Sequence, residues 1–78
     1  MATAKEERMA AVLGRGCLGK AKDDEPIFIL RGQDILAGPL VRLWADLAQI
    51  AVCPQEKVDE ANDLAEKMKN WVPKKWPD

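Results

Sequence analysis

Pro39-Leu-Val-Arg-Leu-Trp-Ala-Asp-Leu-Ala-Gln-Ile-Ala51, a Cys53-Pro54 break, and Gln55-Glu-Lys-Val-Asp-Glu-Ala-Asn-Asp-Leu-Ala-Glu-Lys-Met-Lys-Asn-Trp71 decide the fold. In the first stretch Leu40, Leu43, Trp44, Leu47 and Ala51 recur at helical spacing. Val41, Ala48 and Ile50 broaden that stripe, and Arg42, Asp46 and Gln49 take the other face. The spacing predicts a helix over 39–52, with Pro39 in the first turn, where its missing amide costs nothing. Its apolar stripe is wider than one partner helix covers, which makes this helix central. In the second stretch Val58, Ala61, Ala65 and Met68 repeat at 3-4-3 spacing, with Leu64 and Trp71 alongside. Acids at its start and lysines at its end suit the helix dipole, and a helix over 54–71 follows. The short proline-containing joint folds the two into an antiparallel helical hairpin.

Upstream lies Glu25-Pro-Ile-Phe-Ile-Leu-Arg-Gly-Gln-Asp34. Four consecutive apolar residues bounded by turn chemistry predict a short, buried extended segment over 26–31. Asp34 is placed to cap a turn over 35–37. A lone extended segment must satisfy its backbone against another subunit's copy of itself or against a helical surface. Further back, Thr3-Ala-Lys-Glu6 fits a capping box, Met9, Val12 and Leu13 follow at helical spacing, and Gly14 suits a helix stop. A short helix over 4–13 is expected.

Gly14-Arg-Gly-Cys-Leu-Gly19 spells G-x-G-x-x-G. The dinucleotide fingerprint needs a strand before it and a helix after it. Here a helical pattern precedes and Lys22-Asp-Asp-Glu-Pro26 follows, so 14–25 is expected to be a helix stop and a charged connector. A glycine-rich loop flanked by Arg15, Lys20 and Lys22 also has the makings of a phosphate cradle. The tail over 72–78 carries Trp76.

Seventy-eight residues make a single small domain. A chain this short is marginally stable unless something staples it. Cys17 and Cys53 are expected to be reduced thiols, because the first twenty residues carry charges and no apolar export signal. The absence of histidine and of C-x-x-C spacing argues against structural zinc. Homo-oligomerisation is the remaining staple, so the expected fold is mostly α: a short N-terminal helix, an extended segment and a two-helix hairpin, assembled with copies of itself.

With 12 basic and 13 acidic residues and a net charge of −1, the chain lacks the basic excess of a general DNA or RNA binder. No run approaches the length of a membrane span, and a cytoplasmic location is expected. Without histidine or tyrosine there is little for acid–base catalysis, and neither an enzyme nor a bound cofactor is expected. Arg31 and Gln33 are the leading ligand-binding candidates: a planar guanidinium fork beside a group that both donates and accepts. The structural alternative pairs Arg31 with an acid and leaves Gln33 and Asp34 to cap the next helix. Trp44 offers a stacking surface or a core side chain.

The Glu25–Asp34 run, Ala37 to Trp44 and the closing Met68-Lys-Asn-Trp71 resemble small proteins common in phage and prophage genomes, over residues 16–78. That resemblance implies a phage accessory protein acting in the host-cell cytoplasm. More remotely, the hairpin with its Cys-Pro joint looks like phage sponge proteins of the anti-defence class. Those sequester cyclic-nucleotide immune signals in oligomeric pockets. The likeness implies a non-catalytic sponge, and the residues whose own chemistry suits pockets for an anionic nucleotide are Arg31 and Gln33, with Arg15, Arg8 and the ring of Trp44. The competing expectation is a protein–protein module that inhibits a host protein through its apolar helical face, and a third is a structural phage component.

Overall fold

The computed structural model describes residues 2–76 and is mostly helical, with four helices: α1 (Ala4–Val12), α2 (Gly16–Lys20), α3 (Ala37–Ile50) and α4 (Gln55–Asn70). The helices pack in two pairs, α1 with α2 and α3 with α4, and the pairs make no helix–helix contact with each other. Thr3 caps α1 as its sequence predicts. Its hydroxyl accepts from the Glu6 amide, and the Glu6 carboxylate accepts from the Thr3 amide at 3.1 Å. Gly14 then adopts φ +68°, which a Cβ would oppose, and the chain reverses.

The expected connector over 14–25 contains a feature that periodicity could not show: the five-residue helix α2. Gly16 enters it at φ +72°, and Gly19 lies so close to α1 that a Cβ would sit 3.1 Å from the Ala11 Cα and 2.9 Å from the carbonyl carbon of Gly14 just beyond it. Glycine spacing here serves the close packing of α2 on α1. Both helices lack any buried residue, and Met9, Val12 and Leu13 remain exposed.

The extended segment is present without being buried or paired. Residues 25–31 carry no regular structure, Ile27 and Ile29 are exposed, and Phe28 is 82% exposed. Asp34 ends it by forming an Asx turn: its Oδ1 accepts from the Leu36 amide at 2.7 Å and its carbonyl from the Ala37 amide at 3.0 Å. This turn starts α3 at Ala37, two residues before the expected Pro39, which still lies in the first turn.

The hairpin forms as predicted, with one face exchanged. The buried residues of α3 are Ala37, Gly38, Ala45 and Ala48, and those of α4 are Val58, Ala61 and Ala65. Val41 and Cys53 pack against this small-residue core. Leu40, Leu43, Trp44, Leu47 and Ile50, which dominate the apolar pattern, point away from α4 and are exposed. The reason is steric. Alanines on both helices allow close approach, and Gly38 has the Ala65 carbonyl oxygen and the Lys69 amide nitrogen only 3.4 Å from where its Cβ would be. Leucines at that seam would hold the axes apart. The joint is a Schellman turn: Cys53 N–H donates to the Ala48 carbonyl at 2.9 Å and Val52 N–H to Gln49 at 3.2 Å. It places Val52, a β-branched residue, at φ 59°.

Beyond α4 the tail turns back, with a cis Val72–Pro73 bond, and runs parallel to the Arg31–Asp34 turn. Lys75 N–H donates to the Gln33 carbonyl at 2.7 Å, and Ile35 N–H donates to the Lys75 carbonyl at 2.9 Å. Trp76 nonetheless stays exposed. The last two tail positions, 77 and 78, lie outside the described residues.

Candidate functional site

The five expected ligand residues fall in three separate places. Arg8 is on α1 and Arg15 is the N-cap of α2, both exposed. Arg31 and Gln33 lie in the turn before α3, and Trp44 lies on the outer face of α3. Among the described residues nothing joins these three places into one pocket.

The Arg31–Asp34 turn is a docking point for the chain's own tail. Besides the two backbone bonds to Lys75, the Trp71 ring packs against Gly32, where a Cβ would stand 3.4 Å from the indole. The Lys74 ammonium donates to the Gly32 carbonyl at 3.0 Å and also to the Met68 carbonyl. The polar groups that a ligand would use here are therefore partly spent on fixing residues 71–75. Gln33 contributes its backbone carbonyl, a role that its side chain does not predict. Arg31 remains exposed, with its carbonyl accepting from the Asp34 amide.

The glycine-rich stretch is likewise occupied from within. The Leu18 amide, in the first turn of α2, donates to the Glu7 carboxylate at 3.4 Å. The same carboxylate oxygen lies 2.8 Å from where a Gly16 Cβ would stand. An acid on α1 thus sits where a phosphate cradle would need its anion. Glu6, one residue earlier, has its carboxyl held below the usual carboxylate range, first by the Thr3 backbone amide and then by the Thr3 hydroxyl.

One cleft, of about 340 Å³, opens between the start of α3, the end of α4 and the tail. Ile35, Gly38, Pro39 and Ala65 form its apolar wall, and Arg42, Lys69, Lys74 and Glu66 its polar rim. Arg42, placed by its spacing on the face of α3 away from the apolar stripe, pairs across the hairpin, with its guanidinium 2.7 Å from Glu66 Oε1 and 3.0 Å from Asn62 Oδ1. The expected Arg31, Gln33, Arg15, Arg8 and Trp44 are not among the lining residues.

Both cysteines are free thiols, Cys17 exposed and Cys53 half-buried under the joint. No group of three potential metal ligands occurs among the described residues, and no helix there is long and apolar enough to cross a membrane.

The outer face of α3 carries a row of exposed large apolar side chains. Leu36, Leu40, Leu43, Leu47 and Ile50 follow one another at 4-3-4-3 spacing along it, Trp44 flanks them, and all are exposed. Compared with protein-family models, curated proteins and solved structures, the chain matches none.

Proposed function

We propose that the chain is a non-catalytic interaction module whose working surface is the apolar outer face of α3. One observation carries this reading: the largest apolar side chains of the helix face away from the hairpin core, and the small ones face into it. A helix that presents a second large apolar face, beyond the one packed in its own hairpin, has that face covered in a stable assembly. The occupant of so flat and wide an apolar strip is another protein surface, because a small molecule needs concave walls to lose its water. In-cell photo-crosslinking tests this. A benzophenone amino acid in place of Leu43 is expected to yield a discrete protein adduct, and the same probe in place of Asp63, on the exposed polar side of α4, none. Absence of any adduct from position 43 would overturn the proposal.

A second reading, the capture of an anionic nucleotide, draws support from the cleft rim, where Arg42, Lys69 and Lys74 outnumber Glu66. A phage accessory role, as the sequence resemblance implies, is compatible with either. Native mass spectrometry against cyclic oligonucleotides and ADP-ribose derivatives decides it. Integral ligand masses that disappear in Lys69→Ala would support capture, and bare protein across the panel would eliminate it.

A further inference from the structure

We infer that the occupant of the α3 outer face is a second copy of this chain, which docks its own α3 seam there and turns two helical hairpins into a four-helix assembly. This rests on the interaction-module reading above and specifies its partner.

The first argument is area. A compact monomer of 8.7 kDa exposes about 4,700 Å² by the surface-to-mass scaling of folded proteins, whereas this chain exposes 6428 Å². The excess is about 1,700 Å², within the roughly 1,000–2,500 Å² that each partner buries in obligate homodimers. The exposed run over 27–29 contributes to it, as do Leu36, Leu40, Leu43, Leu47 and Ile50 on the α3 face.

The second argument is the pattern. Leu36, Leu40, Leu43, Leu47 and Ile50 alternate at intervals of four and three, the spacing of a coiled-coil seam. Such a seam is self-complementary. A knob from one helix fits the hole between four seam residues of an identical helix, so a two-fold axis needs no second kind of surface. Asp46 is the one ionised side chain between Leu36 and Ile50 that borders this seam, since Arg42 is turned towards Asn62 and Glu66. With a net charge of −1, two copies meet almost no electrostatic opposition.

The third argument is stability. Among the described residues no large side chain is fully buried, and the buried hydrophobic core there consists of alanines and one valine. Domains of this size need more than such a core supplies. The stabilising partner must therefore be present wherever the chain is made, a condition that a sister copy meets.

Four measurements on the full chain test this together. Native mass spectrometry and light scattering are expected to give a whole-number multiple of the 8.7 kDa chain at micromolar concentration. The urea midpoint is expected to rise with protein concentration, as for any assembly whose subunits unfold on separating. This measurement needs no variant and so survives a failure of the next one to fold. In Leu43→Glu/Leu47→Glu the multiple is expected to fall to one, or the chain to unfold. Hydroxyl-radical footprinting is expected to show Leu40, Leu43, Trp44 and Leu47 protected in the native protein. A folded monomer with a concentration-independent midpoint and readily oxidised α3 residues would overturn self-pairing while leaving the face free for another protein. A folded monomer in which those residues are protected would overturn both readings. A multimer unchanged by the double substitution would place the contact elsewhere and overturn the inference.

Discussion

Replacing Ala45 by leucine asks directly which face of α3 meets α4. Ala45 and its neighbour across the seam, Ala61, are both 0% exposed, and the Gly38 position shows how little room separates the helices. Leucine brings three additional carbons into a contact with no space for them. Overpacking of this kind costs about 1–3 kcal/mol where the surroundings relax, and more where two helix backbones must separate. The total stability of a chain of this length is about 4–12 kcal/mol. Each 1 kcal/mol lost lowers the melting temperature of such a domain by about 4–8 °C, so a fall of about 10–20 °C is expected. If the leucine stripe faced α4 instead, position 45 would lie in solvent. The same substitution would then cost only about 0.2 kcal/mol of helix propensity. Thermal unfolding followed by circular dichroism, at one fixed protein concentration, separates these outcomes by an order of magnitude. A melting temperature within 2 °C of the parent (roughly a quarter to a half of a kcal/mol) would refute the small-residue interface.

Two further perturbations test local chemistry. Val52→Gly should stabilise the protein by about 1 kcal/mol, because a left-handed conformation costs a β-branched residue more than glycine's extra unfolded-state entropy takes back. The side chain it removes is 87% exposed, so little packing is lost, and a lower urea midpoint would contradict the Schellman geometry. For Glu6, hydrogen bonds from Thr3 lower the carboxyl pKa in the folded state. Its contribution to α1 is therefore fully present above the ordinary carboxylate value of 4.5 and is lost as the pH falls through the lower folded value. Helical signal should drop over that window in the parent and show a smaller acid-induced drop in Glu6→Gln. Equal acid profiles would show that the capping box does not form in solution.

The local elements were legible from residue order alone. A capping box, a left-handed glycine, an Asx turn and a 3.6-residue apolar period each depend on neighbours within four positions. Accordingly α1, the Asp34 turn, the hairpin and the buried positions of α4 all stand where those signals place them. Helix α2 was not legible, because its Gly-Cys-Leu-Gly-Lys sequence has neither length nor period. Its folding on α1 depends on the Glu7 carboxylate and on the absence of side chains at Gly16 and Gly19.

Tertiary structure alone decided which apolar face of α3 is the inner one. A hydrophobic period ranks leucine above alanine, but helix packing rewards complementary shape, and the alanines of α3 and α4 match each other more closely than leucines would. It also separated Arg8 and Arg15 from Arg31 and Gln33, spent the turn's carbonyls on the tail, and drew Arg42 to Glu66 across 24 positions of sequence. Such pairings depend on how rigid helices are set against one another, and no spacing along a single chain encodes that.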